Sequence, residues 1–139
     1  MIAYFDTSAL IPLLVEEPGS DRAARLWDAA ERVVTVRIAY PEARAALAQA
    51  QRLDRLTARG YRTARRNFED LWAQLDRVEI TPALAQRAGD LAETLGLRGY
   101  DAVHIAAAET LTDRELVVVA GDDDVLAAAA SLRLAIART

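Results

Sequence analysis

The sequence predicts an α/β fold with a central parallel β-sheet flanked by α-helices, and three observations carry that prediction. Short runs rich in Val, Ile and aromatic residues alternate with longer Ala/Leu/Arg stretches, the order expected of βαβ units. Residues that start and stop helices stand between them at suitable offsets. The connections are short, with no linker, low-complexity tract or internal repeat, so residues 1–139 read as one domain.

Taken in order, Ile2–Phe5 reads as a short buried strand ending at Asp6, followed by a helix over Ser8–Val15. Glu17-Pro18-Gly19 breaks the chain, and Ser20 or Asp21 caps a helix to about Glu31. Val33–Val36 is a second strand, and a helix runs from Ile38 to about Leu53 with Pro41 in its first turn. Thr57 caps a helix reaching about Leu75, and Val78–Ile80 is a third strand. Thr81-Pro82 opens a helix that Gly96 terminates, and Asp101–Leu111 is another. Leu116–Ala120 is the most strand-like run, Val125–Ser131 is helical, and Leu134–Ile136 is a last edge strand.

Composition narrows the function. A chain that is 53% hydrophobic and 27% charged has enough apolar material for a packed core. No apolar run is long enough to span a membrane, and Met1–Asp6 lacks the basic start and apolar stretch of a signal peptide. A cytoplasmic protein without membrane association is the simplest reading. Cysteine is absent, which removes disulfides and thiolate metal sites. All 17 Lys+Arg residues are arginine, a bias that coding composition explains most simply, so every enzyme class built on a lysine is excluded. The net charge of −4 does not by itself announce a nucleic-acid binder.

The acids are better placed than they are numerous. In an open α/β sheet, ligands bind outside the carboxyl ends of the strands at a topological switch point. Asp6 ends the first strand, Glu42 opens the helix after the second, Asp101 opens a helix before the fourth, and Asp122, Asp123 and Asp124 follow that strand. Convergent carboxylates repel one another and persist when a cation compensates. Mg²⁺ or Mn²⁺ suits oxygen ligands and can acidify water and polarise a phosphoryl oxygen. Each acid also has an ordinary explanation: Asp6 and Asp101 as helix caps, Glu42 as a complement to a helix dipole, Asp122–Asp124 as a solvated turn.

Asp6-Thr7-Ser8-Ala9-Leu10 resembles the opening motif of the PIN domain as found in VapC toxins, the ribonuclease partners of bacterial toxin–antitoxin pairs. Pro41-Glu42-Ala43-Arg44-Ala45-Ala46-Leu47 is similar to the family's second motif, an acid entering a long helix. Tyr100-Asp101-Ala102-Val103-His104-Ile105-Ala106-Ala107-Ala108 is the closest match, and Val117–Ala129 resembles the final strand, acid and Ala-rich helix. The matches keep family order over nearly the whole chain. The resemblance implies a parallel sheet and an acidic pocket for one or two Mg²⁺ or Mn²⁺, with metal binding and catalysis carried by Asp6, Glu42, Asp101 and Asp122. Ser8 would be a pocket hydroxyl that helps place a metal-bound water. Where the family commonly has Thr or Ser this chain has Ala120, and the triple aspartate leaves Asp124 as the reserve for Asp122. The implied reaction is hydrolysis of an RNA phosphodiester, leaving 5′-phosphate and 3′-hydroxyl ends. The implied substrates are structured RNAs such as transfer RNA or a ribosomal RNA loop. The implied partners are a small cognate antitoxin, which inserts a C-terminal segment into the pocket, and a second copy of the chain.

Between Gln51 and Asn67, six arginines face a single acid, Asp54. Arg52, Arg55, Arg59, Arg62 and Arg66 would share one face of a continuous helix, but the break near Thr57 predicts a helical hairpin with arginines on both arms. The segment suits an RNA backbone, or else is a solvated helical face. His104 lies one turn beyond Asp101 and could reach the same pocket, although a lone histidine on an apolar helix is more often a satisfied semi-buried group. Trp27 and Trp72 read as core or dimer contacts.

Rival classes fail on specific residues. Haloacid-dehalogenase phosphatases need a second aspartate where Ser8 stands, and they use a lysine, as do receiver domains. No Walker loop or G-x-G-x-x-G is present. The remaining alternative is a catalytically inactive PIN-fold module that binds RNA or protein.

Overall fold

The computed structural model describes residues 1–111 and 115–139. Five parallel strands, β1 (Ile2–Phe5), β2 (Arg32–Val36), β3 (Asp76–Val78), β4 (Leu116–Ala120) and β5 (Ala135–Arg138), form one sheet in the order β3-β2-β1-β4-β5. Register is continuous across the centre, with Tyr4 opposite Val34 on one side and Val118 on the other. Among the described residues, the helices are α1 (Thr7–Leu10), α2 (Ser20–Ala29), α3 (Ala39–Arg52), α4 (Ala58–Gln74), α5 (Pro82–Leu95), α6 (Gly99–Glu109) and α7 (Asp123–Ser131). None is long and apolar enough to cross a membrane.

Because strand side chains alternate, the sheet buries two different faces. Tyr4, Val34, Val36, Val118 and Ala120 pack beneath α5, α6 and α7. Ala3, Phe5, Val33 and Val119 pack beneath α1, α3 and α4. The chain leaves β1 for β2 and β3 on one side and returns to β4 and β5 on the other. The gap between β1 and β4 at their carboxyl ends is therefore the topological switch point.

Several expectations need correction. The helix read over Ser8–Val15 is α1 followed by a 3₁₀ turn, Ile11–Leu13; Pro12 lacks the N–H that an α-helix would use there. The third strand is Asp76–Val78 rather than Val78–Ile80, because pairing with Val34–Val36 sets its register and Ile80 is left 40% exposed. The last strand runs Ala135–Arg138 rather than Leu134–Ile136, paired with Val117–Ala120. The helix expected from Asp101 starts at Gly99, with Arg98 as its N-cap residue, so Asp101 is not a cap.

Candidate active site

Each of the four acids is brought to the switch point by a different element. Asp6 follows β1 and caps α1, its Oδ2 accepting from the Ser8 N–H at 3.0 Å and from the Ser8 hydroxyl. The Ser8 Oγ in turn accepts from the Gly121 N–H at 2.9 Å, tying the end of β1 to the end of β4. Asp122 follows β4 and caps α7, accepting through Oδ1 from the N–H groups of Asp124 and Val125. Glu42 lies in the first turn of α3 and Asp101 in the first turn of α6, where the positive ends of the helix dipoles favour a carboxylate. The capping roles of Asp6 and Asp122 are real, and they orient the same side chains toward the crevice.

Two side chains of the chain itself, Arg98 and His104, hold the acids together. The Arg98 Nε donates to Asp101 Oδ2 at 3.0 Å, and its Nη2 donates to Asp122 Oδ2 at 3.4 Å. His104 is 1% exposed and places Nε2 at 2.7 Å from Glu42 Oε1 and Nδ1 at 3.4 Å from Asp6 Oδ1. The Tyr4 hydroxyl stands 2.9 Å from the same Nδ1, and the Thr7 hydroxyl donates to Glu42 at 2.9 Å. Asp6 is 4% and Asp101 7% exposed, whereas the Arg98 side chain is 72% exposed, so His104 meets its acids in a buried setting and Arg98 closes its pair from the surface.

The electrostatics follow from that enclosure. Burial raises the Asp101 carboxyl pKa; Arg98 opposes the shift, and the charges of Asp122 and Asp6 add to it. Burial alone would lower the His104 imidazole, but the Asp6 charge and the hydrogen bond and charge of Glu42 outweigh it, and the net direction is up. Burial, then the charges of Asp6 and Glu42, pushes Tyr4 well above its ordinary range, so its hydroxyl stays protonated.

Of the residues singled out in the sequence, the structure gathers Asp6, Ser8, Glu42, Asp101 and Asp122 at one site. Asp124 is exposed; its backbone N–H donates to Asp122 Oδ1 and its charge acts on Arg98. The arginine segment is the hairpin that the break at Thr57 predicts: Thr57 caps α4 through the Gly60 N–H, and Asp54 turns the corner at φ 57°. Arg52 ends α3, Arg55 pairs with Glu17 at 2.9 Å, and Arg59, Arg62 and Arg66 are exposed on α4. Trp72 is core, and Trp27 packs edge-on against Phe5.

Arg98, Thr7 and Tyr4 join the site through tertiary contacts that the sequence expectations do not include. Spacing from Asp101 puts His104 near the pocket, whereas its bridging of Asp6 and Glu42 is a tertiary contact. Arg98, three residues before Asp101 on the same turn, was the legible signal for the other bridging side chain.

The donor set is carboxylate oxygen, the chemistry of a hard divalent cation. Among the described residues no three carboxylate or imidazole groups form a ready-made ion cage. The Arg98 guanidinium bridges two of the acids and His104 engages the other two. The acids are therefore arranged in pairs around Arg98 and His104.

A parallel sheet with acids at its switch point is the architecture of a PIN domain, and the PIN domain family model matches residues 3–132. The chain belongs to the PIN domain family. Ribonuclease VapC45 of Mycobacterium tuberculosis (strain CDC 1551 / Oshkosh) is 46% identical over 121 residues, covering 87% of this chain and 84% of the relative. Among solved structures, PAE2754 from Pyrobaculum aerophilum superposes with a TM-score of 0.73 at 24% identity, covering 98% of this chain and 83% of its own. A toxin–antitoxin complex from Klebsiella pneumoniae contains a chain with a TM-score of 0.62 at 21% identity, covering 86% of each. These two likenesses speak to the fold.

Proposed function

We propose that this protein is an endoribonuclease toxin, dependent on Mg²⁺ or Mn²⁺, that hydrolyses RNA phosphodiester bonds and is inhibited by a cognate antitoxin. The observation that carries the reading is the convergence of Asp6, Glu42, Asp101 and Asp122 from four elements onto one crevice, where Arg98 and His104 bridge them in pairs. Identity of 46% to a protein named as a ribonuclease supports the reaction class.

Asp6, Asp101 and Asp122 would hold the ion, with Glu42 completing the acidic set. A bound divalent ion supplies neutralising charge for the scissile phosphate and acidifies water for in-line attack. Ser8 keeps Asp6 in place through the hydroxyl contact and the Gly121 N–H. His104 holds Glu42 and Asp6 in a fixed relation and offsets their charge. Arg98, released from Asp101 and Asp122, is free to face a phosphate. The products carry 5′-phosphate and 3′-hydroxyl ends.

The arginine hairpin supplies the backbone contact that an acidic pocket cannot. Arg55 at its corner pairs with Glu17, and Glu17 lines a depression with Ser8 and Gly121, which ties the hairpin to the edge of the sheet that bears the acids. Arg52, Arg55, Arg59, Arg62 and Arg66 would track a structured RNA such as a transfer RNA or a ribosomal RNA loop. The seating of Arg98 across two acids supports inhibition by an antitoxin arginine placed in the same way, and a homodimer is the proposed assembly.

The test is cleavage of pooled cellular RNA by the purified protein with Mg²⁺, Mn²⁺ or EDTA, beside Asp6→Asn and Asp101→Asn variants whose circular dichroism shows an intact fold. Metal-dependent cuts at few sites, reduced at least ~100-fold in both variants, are expected. If the wild type leaves the same pattern as the variants, or none with either metal, the catalytic reading fails and the chain is an inactive binding module of this fold.

A further inference from the structure

A groove beside the acids has features that the hydrolytic site does not use. Tyr100, the residue before Asp101, is 62% exposed, whereas every other aromatic side chain among the described residues is buried or half-buried. Its ring closes one side of a cavity of about 570 Å³. The rest of the lining is one face of α3, running from its N-cap residue Ile38 through Pro41, Glu42, Ala45 and Ala46 to Gln49. Small side chains on α3 leave the space open, and burying an aromatic ring there would remove apolar surface from water.

The geometry points to a nucleobase subsite: an unpaired base of the RNA, next to the scissile phosphate, stacks on the Tyr100 ring, and the Gln49 amide contacts its edge. This inference rests on the ribonuclease reading and extends it to how substrate is held. The occupant follows from continuity with the acids. Glu42 belongs to both groove and site, and Tyr100 is bonded to Asp101. A phosphate at the acids therefore carries its neighbouring nucleotide to the groove. A phosphate would be repelled by Glu42, while a neutral base with a flat π-face is not. Aromatic stacking serves any base, and the Gln49 amide, which both donates and accepts, adds preference among them. Bases reach such a platform only where they are unpaired, so loops and single strands are favoured over duplex.

The experiment uses short single-stranded RNAs carrying 2-aminopurine at successive positions and a distant dye, bound to the full chain in the presence of Ca²⁺, with cleavage in Mn²⁺ measured in parallel. Quenching of 2-aminopurine at one position is expected with wild type. Tyr100→Ala should lose that quenching and bind about tenfold more weakly, the scale of one lost stacking contact. Tyr100→Phe should keep both, and Gln49→Ala should change the base preference at that position only. An RNA abasic at the quenched position should bind wild type and Tyr100→Ala alike. The inference falls if Tyr100→Ala binds and quenches like wild type while cleavage by the wild type stands. It also falls if the variant changes only the sedimentation coefficient, which would make Tyr100 a protein contact. If wild type neither binds nor cuts any RNA, the ribonuclease reading itself fails, and this inference with it.

Discussion

At residue scale, His104 illustrates how a buried site arranges its own compensation. Its imidazole is enclosed, yet Asp6 and Glu42 at either nitrogen keep the protonated form favoured, so the folded pKa lies above the ordinary 6.5. The folded chain thus binds this proton more tightly than the unfolded chain does. The resulting stabilisation is fully present below the unfolded value and is lost as pH rises through the higher folded one. Denaturant unfolding of metal-free wild type and His104→Gln should show a stability difference that shrinks as pH rises from about 6.5. A difference independent of pH would mean that His104 is neutral in the folded protein. Histidine could be read from the sequence as a neighbour of Asp101, because helical spacing puts residue i+3 on the same face. Its partners could not, since Asp6 and Glu42 come from elements 98 and 62 residues away in the chain.

At the scale of elements, α5 supports α6 and hence Asp101, and its two glycines have opposite requirements. Gly96 ends the helix at φ 64°, a left-handed conformation that an L side chain resists even though a Cβ there meets nothing. Gly89 lies within α5, exposed and with open space around the position of a Cβ. Gly96→Ala should therefore destabilise the protein by about 1 kcal/mol, and Gly89→Ala should stabilise it by about 0.5–1 kcal/mol. Urea midpoints at constant m-value would check both signs. The cap at Thr81 and the stop at Gly96 were legible because they depend on local backbone chemistry alone. The displaced third strand was not, because Val78–Ile80 and Asp76–Val78 differ only in which residues β2 accepts as partners.

At the scale of the molecule, the proposed metal site would link ion binding to folding through acids drawn from distant parts of the chain. The unfolded chain has no such cluster, so an ion that occupies the site must stabilise the fold. Mn²⁺ at about 100 times its dissociation constant should add about 2.7 kcal/mol, seen as a rise of several degrees in the thermal midpoint. The rise should be absent in Asp101→Asn. An equal rise in that variant would place the ion elsewhere on the protein.

The α/β class, the parallel sheet, most helix ends and the placement of acids at element ends were legible in the chain. Those follow from periodicity, capping and residue chemistry, each of which acts within a few positions. Three contacts needed the folded chain: Arg98 spanning Asp101 and Asp122, His104 joining Asp6 to Glu42, and Tyr100 standing open beside α3. Such contacts depend on the crossover that brings β1 beside β4, and on how far each helix stands from the sheet. Long-range packing sets those distances, and no local pattern in the chain encodes them.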